Sequence, residues 1–209
     1  MSSTYDSPDT PRHALPGVAC PILKNLESYW QSLRHAQQIP ARSAVAPHEI
    51  DALLPFAFIL HRVAPRVARI RVAGQRIHDL LRMDARGMPV SILFTPASRD
   101  RLGDLVETAF TSPAIIAANL LAPAQLFRPA LAATILMLPL RDDMGQTSRL
   151  LGAIVPDDAP GNRPRRFDLA PHRAVRIDHL GIALATSQMA PAQKPDAVRP
   201  ALRLVVNNG

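Results

Sequence analysis

The period of the apolar positions changes several times along the chain. Leu23, Leu26, Trp30 and Leu33 recur three and four residues apart behind Pro21, the spacing of an amphipathic helix that Pro40 ends. A second short helix is expected over residues 47–54, with Pro47 at its first position and Ile50, Leu53 and Leu54 on one side. From Phe56 the period drops to two. Phe56, Phe58 and Leu60 alternate with Ala57, Ile59 and His61, and Arg69 and Arg71 alternate with Ile70 and Val72. These two runs, 56–63 and 66–73, predict a hairpin around Ala64-Pro65 in a sheet that is wet on one face. Gly74 breaks the second strand, and residues 75–83 form a short helix with Ile77, Leu80 and Leu81 inward. Thr95 caps a longer helix with Pro96 at its first position. Its apolar residues Leu102, Leu105, Val106, Ala109 and Phe110 fall on one stripe. Residues 114–121, 130–140 and 149–155 read as three more strands, the last two joined by the turn Arg141-Asp142-Asp143-Met144-Gly145.

Helices inserted between antiparallel strands make this an α+β chain rather than an alternating parallel one. The expected organisation is a disordered polar arm over 1–20, flanking helices over 21–55 and a domain over 56–156. Beyond it lies a largely irregular extension over 157–209, with a disordered Pro-rich stretch at 187–200. Residues 202–206 are too short a run to interpret, and no internal repeat is present.

Composition narrows the function classes. The 209 residues carry 47% apolar side chains, enough for a real core. The net charge is +7, from 24 basic and 17 acidic residues, and Lys24 and Lys194 are the only lysines. The arginines are scattered; their densest run, Arg163, Arg165 and Arg166 around Pro164, is short for a nucleic-acid stripe. Aromatic residues make up only 4%, poor material for a platform that stacks bases or flavins. One cysteine excludes a disulfide framework and fits a reducing compartment. No apolar run is long enough to span a bilayer, and residues 1–12 contain no secretory h-region, so a cytoplasmic protein is expected.

The order of elements resembles a PAS domain: two strands, short helices, a longer helix packed on the sheet, then three strands. Local residues also resemble one bacterial group of short, stand-alone PAS-like proteins. The matching stretches begin with Trp30-Gln31-Ser32-Leu33-Arg34, Ile39-Pro40-Ala41-Arg42-Ser43 and Leu53-Leu54-Pro55. They continue with Arg71-Val72-Ala73-Gly74, Arg86-Gly87-Met88-Pro89, Leu93-Phe94, Leu136-Met137-Leu138-Pro139-Leu140 and Leu150-Leu151-Gly152. Gln75 departs from the group, which often has Thr after the glycine. The resemblance covers residues 28–156. It implies a five-stranded antiparallel sheet with helices inserted between its second and third strands, a flanking N-terminal helix, and a sensory or regulatory role.

On that basis a ligand would lie between sheet and helices, lined by Phe56, Phe58, Ile70, Ile77, Leu80, Leu105 and Met137, with Arg71 and His78 as further candidate pocket residues. Arg71 has two readings, an anchor for an anion and a solvent-facing strand residue. His78 has the chemistry of a haem ligand, but a half-solvated boundary histidine is favoured; no cofactor, haem or flavin, is expected. Cys20 lacks a base and a cationic setting, and the Asn-Cys-Arg motif of flavin photosensors is absent. Ile77-His78-Asp79-Leu80 is no kinase phosphoacceptor box without an ATP-binding domain. His172 and His179, seven apart, lack a third ligand for zinc. No metal site and no catalytic residue emerges. The expected function is a non-catalytic sensory or protein-interaction module signalling through another protein; the alternative is a nucleic-acid-binding regulator using the Arg-rich extension. The stripe Leu23, Leu26, Trp30 and Leu33 must be covered, by the chain's own sheet or by the same helix of a second chain. The homodimer is the expectation, with residues 34–46 as a spacer.

Overall fold

The computed structural model describes residues 20–36, 38–126, 128–170 and 174–181. The arm expected over 1–20 (Cys20 apart), the Pro-rich stretch 187–200, residues 202–206 and His172 lie outside these residues.

Helix α1 (Pro21–Ser32) buries Leu23, Leu26 and Trp30 along one side. Pro21 occupies its first turn, where the missing N–H removes no helical hydrogen bond. A 3-10 turn follows at Arg42–Ala44, then a 3-10 segment at Pro47–Phe56 kinked at Ile50. Strands β1 (Ala57–Ala64) and β2 (Val67–Ala73) form the expected antiparallel hairpin. Helix α2 (Gln75–Leu81), 3-10 turns at Val90–Leu93 and Pro96–Ser98, and helix α3 (Arg99–Thr111) intervene. The sheet resumes with β3 (Ala114–Ala122), β4 (Leu131–Arg141) and β5 (Thr147–Pro156). Two short strands close the described chain, β6 (Asp168–Leu169) and β7 (Arg176–His179).

The strand order is β2-β1-β5-β4-β3, and every pairing within it is antiparallel. β6 and β7 share the outer edge of β3, one pairing with Leu120 and Leu121 and the other with residues 114–117. Among the described residues seven strands therefore stand where five are expected. Strands this short take their register from a distant edge and carry no local period to reveal them.

Both faces of the sheet are buried. On the inner face α2 and α3 cover a core that includes Phe58, Leu60, Ile70, Ile116, Met137, Leu150 and Ile154. On the outer face α1 and the Pro47–Phe56 segment cover Ile59, Ile115, Leu136, Leu138, Leu140 and Leu151. This two-sided burial is why β3, β4 and β5 read as nearly unbroken apolar runs rather than as alternation.

Three local boundaries differ from the sequence pattern. Phe56 ends the 3-10 segment instead of opening the strand. The α-helix begins at Arg99, because Pro96–Ser98 is a 3-10 turn and the Thr95 hydroxyl donates to the Asp168 carboxylate. In β2 the alternation slips: Leu60 faces Ile70 and Ile59 faces Val72, so Arg71 is the extra residue of a bulge.

Candidate functional site

Phe58, Ile70, Ile77, Leu80, Leu105 and Met137 do meet between sheet and helices. They share that core with Phe94 and Phe167, both fully buried. A cavity of about 40 Å³ at this face, between β2 and α3, touches Ala68, Val90, Leu102 and Val106. That is room for water and far below the volume of a drug-sized ligand site.

The other three expected lining residues lie elsewhere. Phe56 belongs to the outer face, with the Arg76 guanidinium 5.9 Å from its ring centre. Arg71 is exposed and donates through Nε to His61 Nδ1 at 3.2 Å, so neither a carboxylate nor the interior holds it. His78 sits half-buried at the end of α2, where its Nδ1 accepts the Ala85 backbone N–H at 3.0 Å. Asp84 lies 3.6 Å from that nitrogen, and its own bond from Arg86 holds its carboxyl well below the usual carboxylate range.

The described residues of the extension pack into the domain. Phe167 inserts beside Phe94, exchanging backbone bonds with Leu93 and Thr95. Asp168 accepts hydrogen bonds from Thr95 and Ser98, and the Ser98 hydroxyl in turn accepts the Leu169 N–H. Arg165 is buried, donating to the carbonyls of Pro160 and Pro129. One of the three clustered arginines is thus committed to structure rather than to an external anion.

The apolar stripe of α1 is covered in cis. Trp30 is fully buried, and its Nε1 donates to the Pro139 carbonyl at 2.9 Å. Leu23 and Leu26 are buried in the same outer core, with Leu33 at its margin. Residues 34–46 do not act as a free spacer: the Arg141 N–H donates to the Pro40 carbonyl, and the Ala46 N–H donates to the Tyr29 hydroxyl. Glu27 of α1 binds Arg176 of β7 through two bonds of 2.8 and 2.6 Å, which raises the Arg176 pKa. The stripe that suggested a dimer contact therefore supplies the chain's own core instead, because β4 and β5 present an apolar outer face that needs the same cover.

One stretch of the outer face is left open. A groove of about 340 Å³ runs between the Arg42–Ile50 region and strands β1 and β2. Val45, Ile50, Leu54, Ile59, Val72 and Leu151 form most of its apolar wall, and Val72 is 51% exposed. Arg42 lines it, half-buried, with no ion pair or side-chain hydrogen bond among the described residues. The sheet register fixes the polarity of the groove. At one end Ala57 pairs with Ala153; at the other His61 pairs with Arg149. Ala41 bridges to Arg141, which pairs with Thr147, so Arg42 belongs to the His61 end. Burial and then the charges of Arg149 and Arg71 push the His61 pKa down, with Asp142 opposing them. Asp142 is itself engaged by Ser148 and by the backbone of Met144 and Gln146. Arg42 stands in the matching stretch Ile39-Pro40-Ala41-Arg42-Ser43, but no period marks it as a groove residue, since its place there depends on strands that follow it.

Among the described residues no helix is long and apolar enough to cross a membrane. A family model described as a PAS domain matches residues 18–155. No curated protein matches the chain.

Proposed function

The chain belongs to the PAS domain family, and from that membership we propose that it is a cytosolic, non-catalytic sensory or protein-interaction module. It works through its surface, signalling by contact with another protein rather than through an internal cofactor. The observation that supports this reading is the inner core. Phe58, Phe94, Phe167 and Met137 pack where a ligand between sheet and helices would lie, each at most 1% exposed. A face so filled transmits strain, which supports signalling through the surface.

Reversible cross-linking of the full chain in its own cells, followed by affinity purification, tests the reading. A signalling protein recovered in near-stoichiometric amount is the expected result. Recovery of nucleic acid alone at physiological salt would replace it with the nucleic-acid-binding alternative. A purified protein that is coloured, or whose native mass exceeds the chain mass by a bound organic group, would overturn the surface reading.

A further inference from the structure

We propose that the outer groove is a binding site for a small amphiphile with one carboxylate head and a medium-length alkyl tail. This goes beyond the proposed function, which can hold whether or not a ligand occupies this groove.

The tail end follows from the wall. Ile50, Leu54, Ile59, Val72 and Leu151 present apolar surface around about 340 Å³, a volume in the range of small-molecule sites. Val72 stands half-exposed there because the bulge at Arg71 turns it out of the regular alternation. Apolar surface held open in this way gains free energy in proportion to the area a ligand covers.

The head end follows from charge. Arg42 lines this apolar wall, partly covered as a residue, with no carboxylate within 4 Å of it among the described residues. Arg71 and Arg149 lie at the same end of the sheet face, neither in an ion pair within 4 Å among the described residues. Asp142 is the carboxylate that acts on His61 there, and its charge also acts on Arg149; Arg42, Arg71 and Arg149 still outnumber it, so positive charge is in excess where the groove ends. A planar carboxylate fits a guanidinium fork, with two charge-assisted bonds available. Apolar surface at one end and an excess of arginine at the other define a ligand of matching polarity.

The probes are octanoate, decanoate and dodecanoate below their micellar concentrations, titrated into the full-length protein and followed by methyl NMR. Decyltrimethylammonium and acetate are the controls. The expected result is saturable binding that tightens with chain length and shifts Val45, Val72 and Leu151. Neither control should reproduce it. Arg42→Gln should weaken decanoate about 10-fold or more, the worth of a hydrogen bond to a charged group, and Arg42→Lys should recover part of the loss. Arg149→Gln, away from the groove wall, should weaken it less. Several results would overturn the proposal: no saturable binding; equal binding of the cationic probe; or shifts at Ile77, Leu105 and Met137 instead of the groove. So would ligand-free groove signals that move with protein concentration, which would seat a second copy there. Nuclear Overhauser contacts from residues 202–206 to Val72 would assign the groove to the chain's own tail.

Discussion

The Phe58 ring lies directly over Gly152, its cross-strand partner. A Cβ on Gly152 would sit 2.5 Å from the ring and 2.4 Å from the Leu136 carbonyl oxygen. The glycine is required by this close approach and not by its dihedral angles. Gly152→Ala must push the ring and strand β4 at once. Overpacking of this kind costs about 1–3 kcal/mol, and with backbone on one side the upper end is expected. Urea denaturation should show a lower midpoint at unchanged slope.

Trp30 separates the two fates open to α1. Trp30→Phe keeps most of the apolar volume but leaves the Pro139 carbonyl without its side-chain donor. The expected loss is about 1–3 kcal/mol. Leu26→Glu places a charge at a fully buried position and should unfold the domain. Sedimentation velocity should give the same assembly state for the parent and for Trp30→Phe. A folded, smaller species from Leu26→Glu would return the helix to an intermolecular contact.

Phe167 lies outside the matched family region yet is fully buried. Phe167→Ala should cost about 3–5 kcal/mol, as for other large aromatic truncations. A chain ending at residue 156 loses this ring and bares the β3 edge. It should aggregate on expression, whereas removal of residues 187–209 should leave thermal stability unchanged.

His61 sets a pH dependence whose sign is fixed. Its folded pKa lies below the ordinary imidazole value, through burial and then the charges of Arg149 and Arg71. Below about pH 6.5 the unfolded imidazole takes a proton that the folded one resists. Stability therefore falls as pH drops through that window and levels off once the folded group is protonated too. Arg71→Met should move the His61 titration upward in NMR and shrink this contribution.

The parts of the fold that were legible in the sequence are those whose partners act through spacing alone. Leu23, Leu26 and Trp30, Leu102 to Phe110, and the β1–β2 hairpin all lie where their periods put them. Six lining residues were likewise placed together by period, since Phe58, Ile70 and Ile77 each follow a local face. Which face a strand turns to which layer was not legible for β3 to β5, since burial on both sides erases the alternation. Phe56 was misplaced because Pro55 sits inside a 3-10 segment that runs one residue further. Arg71 was misplaced because a bulge leaves no mark in composition. Asp168, Thr95 and Ser98 meet across about seventy residues, a separation no periodicity spans.

The cover that α1 gives the outer face has a consequence for how the chain is made. Trp30 precedes its acceptor Pro139 by 109 residues. At about 5–20 residues per second on the ribosome, α1 emerges about 5–20 s before the strand it packs against. During that interval Leu23, Leu26 and Trp30 have the nearby Val45, Ile50 and Leu53 but not the strands β4 and β5 that complete their cover. The first helix of the described residues is thus among the last to be fully seated, and its apolar stripe stays partly exposed until β4 and β5 have left the exit tunnel.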